Sequence, residues 1–355
     1  VQSGSIATLD VPSVQNYRDA AQPGLTNSGL ETGLRLLQSS GKAVSRQQAI
    51  SQQLYMNGEE LSKIFRAASL SDLVGGALRT GGRYQLPQAF RDGVVLPKQP
   101  LLKLFQNPKN YNAVPLLTGA NRDEQKLFMA LDERYSQRLR GVIPTVRNQY
   151  EFDRISSYFS QRWRMASVDL PADTMSRSAR PPVYAYQFDW DEGGGFGPLK
   201  YGSLLGAAHG LELGFVFGDL ENIPGIPGLI NSNNRAAAQN LSQSMMGYWA
   251  QFARTGAPGN GNGRQAFWHP WRAGQGGLMV FDTEREGGVR MVGGMLNPSG
   301  LQHRIATDSA FRSPEERCKL YAEMYYSPHR GRDLFDRNHW YQLGCANLRA
   351  DLMWY

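Results

Sequence analysis

The spacing of apolar residues predicts two helical regions. Between residues 26 and 80, apolar residues recur at helical intervals with a break near Asn57-Gly58, which predicts several short helices. A longer helix is predicted from Asn234 to Arg254. Its apolar residues would form one buried stripe. This stripe consists of Leu241, Met245, Tyr248 and Phe252.

Two shorter apolar runs predict buried strands. Residues 114–118 form a run that is too short for a helix, and turn-forming residues follow it. Residues 183–190 are rich in aromatic residues and predict a second strand. The glycine-rich segment after it matches neither a dinucleotide-binding fingerprint nor a P-loop, so it predicts a plain loop. Strands that alternate with helices favour an α/β sheet with helical excursions.

A glutamate and a histidine follow these two strands. Glu124 comes directly after the first strand, and His209 comes after the glycine-rich loop. Catalytic groups of α/β sheets lie beyond the carboxyl ends of the strands, so the two side chains are expected to meet. A histidine bonded to a carboxylate through one nitrogen keeps the other nitrogen free as a base. The pair would be two-thirds of a nucleophile–histidine–acid triad, although the spacing alone also fits a structural histidine and a solvated glutamate.

Composition and charge exclude several classes of protein. The chain has 355 residues, of which 41% are hydrophobic, enough for a folded core. No apolar run approaches the roughly 18 residues of a transmembrane helix. The net charge is +7, but the arginines are spread along the chain rather than clustered on a nucleic-acid-binding module, so no nucleic-acid partner is expected. The N-terminus resembles neither a signal peptide nor a natural start. We therefore expect that a preceding segment is missing, that it carried any targeting signal, and that the protein is secreted or periplasmic.

The remaining chemistry-bearing residues have less specific patterns. Cys318 and Cys345 either form a disulfide or are two buried thiols. Glu212 lies three residues after His209 and is expected to form a structural salt bridge rather than a metal site, because no further ligand is apparent. No metal and no cofactor are expected. His269 is expected to pack between its neighbours. The other histidines are expected on the surface: His303, His329 and His339. The aromatic residues expected in the core are Trp249, Phe252, Trp268 and Trp271.

Several motifs in a fixed order carry a more specific signal. They are "VPLLTGANRDEQKLF", "PVYAYQFDW", "GAAHGLELGFVFG" and "MMGYWAQFARTGAPGNGNG" followed by "FWHPW". Together they resemble the type-B carboxylesterase/lipase family, which includes cholinesterases and bacterial para-nitrobenzyl esterases. "VQSGS" and "FRDGVVLP" are similar to further segments of that family. The resemblance covers residues 1–320, which would form the C-terminal part of an α/β-hydrolase domain, and residues 321–355 would form a tail that cannot be placed.

The resemblance implies roles for three residues. His209 would be the catalytic histidine, Glu124 the acid of the triad, and Ser3 a supporting residue that forms a hydrogen bond with that acid. Gln125 stands where the family usually has glycine, which would alter the turn. The implied reaction is hydrolysis of a small carboxylic ester.

The family's nucleophile lies in a Gly-x-Ser-x-Gly motif, which does not occur in this chain. We therefore expect the nucleophilic serine upstream of Val1, and we expect the chain alone to be inactive and poorly soluble. The alternative is a non-catalytic recognition or adhesion domain of the cholinesterase type that has lost its nucleophile.

Overall fold

A computed structural model describes most of the chain. The described residues are 1–17, 27–75, 89–139, 143–178, 181–197, 199–221, 223, 226–326, 334–350 and 353. They form two compact units. The helical unit consists of Ala7–Pro100, Tyr325–Phe335 and Arg349–Tyr355. The sheet unit consists of Val1–Ile6, Leu101–Met324 and Asp336–Leu348.

The helical unit contains two short strands and five helices among its described residues. The strands are β1 (Leu9–Asp10) and β2 (Phe90–Arg91), which pair in parallel. The helices are α1 (Val11–Gln15), α2 (Gly29–Ser39), α3 (Arg46–Tyr55), α4 (Gly58–Ala67) and α5 (Leu70–Gly75).

Side-chain caps explain where these helices begin. The hydroxyl of Ser28 accepts a hydrogen bond from the third residue of α2, and Ser45 does the same for α3. The predicted break near Asn57-Gly58 is the start of α4, where Asn57 and Glu60 form a reciprocal capping box. The unit buries a small apolar core. This core contains Leu34, Leu37, Ala43 and Ala49.

The sheet unit is built on a four-stranded sheet in the order β10-β9-β6-β3. The two pairings β3–β6 and β6–β9 are parallel, and β10 pairs with β9 in the antiparallel direction. Gln2 forms a parallel bridge with Gly119 of β3, so the first residues of the chain continue the sheet beyond β3. The strands of the unit are β3 (Leu116–Asn121), β4 (Ser136–Leu139), β5 (Ile143–Val146), β6 (Val183–Phe188), β7 (Gly195–Phe196), β8 (Leu199–Lys200), β9 (Leu278–Phe281) and β10 (Arg290–Val292).

Helices connect and cover these strands. They are α6 (Leu101–Leu104), α7 (Lys126–Met129), α8 (Gln149–Arg164), α9 (Leu170–Ser176), α10 (Tyr201–Leu204), α11 (Glu212–Phe217), α12 (Arg235–Thr255), α13 (Pro298–Thr307), α14 (Pro314–Tyr325) and α15 (Arg337–Gln342). A π-helical segment, Met165–Asp169, joins α8 to α9.

Both faces of the central strands are buried, which explains why their sequences are almost continuously apolar. All four residues of β9 are buried, and five of the six residues of β6 are buried. On one face, aromatic rings pack edge to face around Trp268, which is completely buried. Its ring neighbours include Tyr186, Tyr248 and Phe281.

The structure adjusts several boundaries that the sequence predicts. The strand predicted at 114–118 runs over Leu116–Asn121, and the one predicted at 183–190 ends at Phe188. The predicted glycine-rich loop contains the small hairpin of β7 and β8. The long helix lies one residue later than predicted, and its stripe is buried except for Phe252, which is half-buried.

The tail is partly integrated into the sheet unit. Cys318 of α14 forms a disulfide with Cys345, which answers the question that the sequence left open. Helix α14 spans residues 320 and 321, and the division of the chain at that point stays a prediction. None of the helices in the described part of the chain is long and apolar enough to cross a membrane.

Other predictions for single side chains are corrected. His269 is exposed and contacts the ring of Phe267 rather than packing inside. His339 is half-buried against Tyr321, because α15 lies on α14. His303 is exposed as expected, and His329 lies outside the described residues. Trp268 and Trp271 are in the core, whereas Trp249 is half-buried.

Candidate active site

His209 and Glu124 meet beyond the carboxyl ends of β3 and β6. Glu124 lies in the turn between β3 and α7, and His209 lies in the turn before α11. The Nδ1 atom of His209 is 2.6 Å from Oε2 of Glu124. The carboxylate is completely buried, whereas 33% of the imidazole side chain is exposed. The charged partner is therefore enclosed while the ring remains accessible from outside.

Backbone contacts tie the two turns together. Asp123 donates from its backbone nitrogen to the carbonyl of Ala207 at 3.0 Å, and its side chain accepts a hydrogen bond from the Ala207 nitrogen at 3.1 Å. Gly206 adopts φ +54°, and a Cβ at this position would collide with the Asp123 carboxylate. Glycine therefore allows the close approach that places His209 beside Glu124.

The Glu124 carboxylate is held at both oxygens. Its Oε1 accepts a hydrogen bond from the backbone nitrogen of Asn121 at 2.7 Å, while Oε2 faces the imidazole. The next residue, Gln125, has φ −89° and ψ −14°, an ordinary right-handed conformation. Its backbone nitrogen donates to the Ser160 hydroxyl at 3.1 Å. The turn therefore does not need glycine at position 125.

The hydrogen bond at Nδ1 fixes the state of the histidine. A carboxylate accepts only, so the imidazole carries its proton on Nδ1 and keeps a lone pair on Nε2. The hydrogen bond that His209 donates to Glu124 raises the pKa of His209 above its ordinary value, and burial of the ring acts in the opposite direction. The geometry thus provides a base of increased strength at Nε2.

Two aromatic rings flank the imidazole. The ring centroids of Phe128 and Trp163 are 5.4 Å and 5.3 Å from that of His209. These two rings also stack on each other at 6.1 Å. The indole nitrogen of Trp163 donates to the Gly4 carbonyl at 3.1 Å, which fixes its orientation. Phe128 is 40% exposed, so an apolar surface is accessible beside the base.

A second buried carboxylate lies next to the pair. Glu212 is 1% exposed and accepts a hydrogen bond from Nδ2 of Asn121 at 2.5 Å. The same Nδ2 donates to the Ala208 carbonyl at 2.6 Å. The predicted salt bridge of Glu212 is wrong, because its hydrogen-bond partners among the described residues are neutral. Burial raises the pKa of Glu212, and the nearby Glu124 carboxylate raises this pKa further.

The expectation for Ser3 needs a correction. Its hydroxyl donates to Oε1 of Glu212 at 3.3 Å rather than to Glu124, because α11 places Glu212 between them. Ser3 has a positive φ of 45°, and its backbone nitrogen donates to the Gly119 carbonyl at 2.9 Å. Ser3 therefore contacts the triad acid only indirectly, through Glu212 and Asn121.

Sequence reasoning did not single out Asn121, Phe128 or Trp163. Asn121 is within the quoted motif "TGANRDE", and its position at the end of β3 could have identified it from the sequence as a site residue. The two aromatic rings come from separate helices and have no common spacing in the sequence. No group of three or more metal-binding side chains occurs among the described residues.

Comparisons with known proteins identify relatives. The model of a family described as "Carboxylesterase family" matches residues 18–293. Para-nitrobenzyl esterase from Bacillus subtilis (strain 168) is 26% identical over 250 residues, which are 64% of this chain and 48% of that protein. Acetylcholinesterase from Bungarus fasciatus is 33% identical over 117 residues, which are 33% of this chain and 17% of that protein.

Two solved structures align with part of the chain. A PNB esterase structure aligns with a TM-score of 0.48 and 19% identity, covering 76% of this chain and 59% of that chain. A carboxylesterase from Geobacillus stearothermophilus aligns with a TM-score of 0.47 and 20% identity, covering 76% and 60%. The chain spans about half or less of the length of the curated relatives it matches.

Proposed function

Since the chain belongs to the carboxylesterase family, whose model matches more than half of its residues, we propose that the protein hydrolyses carboxylic esters, with His209 as general base and Glu124 as the acid that orients it. Family membership also confirms the predicted α/β-hydrolase fold class. The parallel strands β3, β6 and β9 belong to the sheet of this fold. The observation that carries the proposal is the 2.6 Å contact between Nδ1 and the buried carboxylate.

The proposed reaction has two steps. A serine attacks the ester carbonyl while Nε2 of His209 takes its proton, and the resulting imidazolium then protonates the leaving alcohol. Water activated by the same nitrogen releases the acid in the second step. Glu124 stabilises the imidazolium in both steps, since it is buried and, among the described residues, this ring is its only ion-pair partner.

None of the motifs of this chain contains the nucleophilic serine that the family's reaction requires. No Gly-x-Ser-x-Gly sequence occurs in it. The hydroxyl of Ser3 is committed to Glu212, so it is a poor choice of nucleophile. We propose that a serine encoded ahead of Val1 supplies the attacking oxygen, as in the sequence-based expectation.

The aromatic surface beside the base supports an ester with an apolar group. Phe128 and Trp163 flank the imidazole, and the phenyl ring is partly accessible. An apolar acyl or alcohol group placed there would exclude water from the reacting carbonyl.

The decisive experiment compares two histidine variants of the protein expressed with all the sequence that its gene encodes ahead of Val1. Hydrolysis of para-nitrophenyl acetate should fall by roughly 10³- to 10⁶-fold in His209→Ala, because the nucleophile loses its base. His269→Ala is the matched control, since this histidine is exposed and lies after α12 rather than at the site. Its kcat should stay near that of the unchanged protein.

Two results would contradict the proposal. Turnover that survives in His209→Ala would show that another group is the base. A complete absence of ester hydrolysis in the unchanged protein would favour the non-catalytic recognition domain instead.

A further inference from the structure

One buried side chain links the two turns that carry the proposed catalytic pair. Asn121 is the last residue of β3, where it pairs with Phe188 of β6. It is 1% exposed. Its side chain reaches the turn before α11, where Ala208 lies 87 positions further along the chain. Asn121 therefore lies between the turn of Glu124 and the turn of His209.

The backbone and the side chain of Asn121 hold different partners. The backbone nitrogen donates to Oε1 of Glu124 at 2.7 Å. The side-chain Nδ2 donates to the carbonyl of Ala208 at 2.6 Å, and Ala208 directly precedes His209. The same residue thus holds the acid on one side and the backbone next to the base on the other.

A second bond of the amide lies on the other side of the histidine. Nδ2 of Asn121 also donates to Oε2 of Glu212 at 2.5 Å, and an amide group has two N–H groups for two such acceptors. Glu212 is the first residue of α11. The amide is therefore attached to the turn both before and after His209, so a shift of the imidazole along the turn would break one of these bonds.

The partners of the amide impose its orientation. The Ala208 carbonyl and the Glu212 carboxylate are acceptors, so the NH₂ group has to face them. The Oδ1 atom of Asn121 is then buried without a hydrogen-bond partner among the described residues. Such an unpaired atom costs free energy. The side chain therefore gives up one bond to keep the two that flank His209.

Another contact holds the same turn independently of Asn121. Asp123 is bonded to Ala207 through its backbone nitrogen and through its carboxylate. Loss of the Asn121 amide should therefore displace His209 by a small distance rather than release the whole turn. A small displacement of a catalytic group is enough to lower a rate markedly.

We propose that Asn121 is a positioning residue of the candidate active site, whose side-chain amide fixes the place of His209 relative to Glu124. The catalytic part of this inference rests on the proposed esterase function. Because Asn121 is buried, it acts through His209 and Glu212 rather than on the substrate itself.

The surrounding charges give the direction of a measurable shift. The hydrogen bond to Glu124 raises the pKa of His209, burial lowers it, and the charge of Glu212 raises it. Burial raises the pKa of Glu212, the bond from Asn121 lowers it, and the Glu124 carboxylate raises it. The phenol of Tyr186 near both carboxylates stays uncharged, because burial raises its pKa. Without the bond from Asn121, Glu212 loses charge and the pKa of His209 falls.

Asn121→Leu tests the role of the amide, because leucine has a similar size, has no donor and leaves the backbone bond to Glu124 in place. The variant is made in the protein expressed with all the sequence that its gene encodes ahead of Val1. For para-nitrophenyl acetate, kcat should fall by roughly ten- to 100-fold, and KM should change by less than about threefold. The acid limb of kcat/KM against pH should move to lower pH.

Asn110→Leu is the matched control. Asn110 is exposed at the end of the short helical turn Pro108–Asn110. This variant should keep the kcat, the KM and the pH profile of the unchanged protein.

Nuclear magnetic resonance of protein with isotope-labelled histidine gives a readout that does not need ester hydrolysis. The imidazole signals of His209 are identified by their absence in His209→Ala. They should titrate at lower pH in Asn121→Leu than in the unchanged protein, and at the same pH in Asn110→Leu. Asn121→Ser keeps one donor on a shorter side chain, so it should give a smaller shift in the same direction. It decides the question if the leucine variant does not fold.

A purely structural role of Asn121 would overturn the proposal. It would lower the thermal midpoint of Asn121→Leu but leave kcat and the pKa of His209 unchanged in the folded protein. An acid limb that moves to higher pH would also overturn it. If the unchanged protein hydrolyses no ester, the proposed esterase function fails by itself. A lower pKa of His209 in the variant then still supports the positioning role, and an equal pKa overturns it.

Discussion

Two buried carboxylates of the sheet unit, Glu124 and Asp282, are stabilised in different ways. Glu124 has a positively polarised partner at each oxygen, the imidazole of His209 on one side and a backbone nitrogen on the other. Asp282 accepts one backbone bond and has no ion pair among the described residues. The first arrangement fixes a geometry, which suits an acid that orients a base. The second leaves a carboxylate without an ion-pair partner among the described residues; burial raises the pKa of Asp282, and the charge of Arg122 acts in the opposite direction.

Glu212 is intermediate between these two cases. Both of its oxygens accept bonds, but from the neutral donors Ser3 and Asn121. It is buried as deeply as Glu124, and burial raises its pKa. Full hydrogen bonding without a counter-ion therefore does not keep the pKa of a buried acid at its usual value.

The largest expected effect is that of Glu124→Gln on ester hydrolysis. The backbone nitrogen of Asn121 requires an acceptor, so the glutamine oxygen should face it and the amide NH₂ should face His209. That donor would force the imidazole into the tautomer with its proton on Nε2, and the amide could not stabilise an imidazolium. We expect kcat for para-nitrophenyl acetate to fall by roughly 10³- to 10⁴-fold.

Glu133→Gln is the control for this change, since Glu133 is exposed in the next turn of the chain. The rate of this variant should remain near that of the unchanged protein. If Glu124→Gln keeps a rate within about tenfold of the original, the two partners of the Glu124 carboxylate are not important for catalysis. The comparison between Glu124 and Asp282 would then say nothing about function.

The contact between His209 and Glu124 was predictable from the sequence. Two short apolar runs, each followed by turn formers, predicted the parallel strands β3 and β6. The carboxyl ends of such strands lie at the same edge of the sheet, so Glu124 and His209 were expected to meet there. Strand polarity and turn position alone also fitted a structural histidine and a solvated glutamate, and the order of the motifs favoured the pair by resemblance.

The rest of the site depends on contacts that have no local signature. The partner of Ser3 was predicted wrongly, because the sequence does not reveal that α11 places Glu212 nearer to it than Glu124. The cavity beside Asp282 is lined by four segments, and no spacing rule relates Asp282 to residues 191–194. The missing cap at Thr283 is equally invisible in the sequence, where a threonine before an acidic turn looks like an ordinary cap.

The next largest effect is expected on the free energy of unfolding, when Asp282 is replaced. The pKa of Asp282 is raised to about 6 in the folded protein, against an ordinary value near 4. The folded state therefore binds the proton more tightly, and stability is lost as the pH rises between these two values. Asp282→Asn removes this loss. At pH 7.5 it should stabilise the protein by about 1–2 kcal/mol, which allows for partial solvation of the group, and raise the thermal midpoint by a few degrees.

The pH dependence separates this cause from a change in packing. At pH 4, where the carboxyl group is protonated in the folded state, the difference between Asp282→Asn and the unchanged protein should nearly vanish. Glu315→Gln is the control, since Glu315 is exposed in the first turn of α14, and it should show no such dependence. A variant that is less stable than the original at pH 7.5 would mean that Asp282 already has a counter-ion, contrary to the comparison with Glu124.

The smallest effect is expected for Glu212→Gln. Glutamine can keep both bonds, with its oxygen accepting from Asn121 and its NH₂ donating to the Ser3 hydroxyl, so the change removes only a negative charge. That charge contributes to raising the pKa of His209. Without it the imidazolium is less stable, the pKa of His209 falls, and the acid limb of the profile of kcat/KM against pH should move to lower pH. At pH 8 the weaker base should lower the rate by roughly two- to tenfold.

Glu133→Gln is the control, and it should leave the profile of kcat/KM against pH in place. A limb that moves to higher pH would show that the charge of Glu212 does not stabilise the imidazolium. A rate loss as large as that of Glu124→Gln would show that Glu212 rather than Glu124 is the acid that orients the histidine.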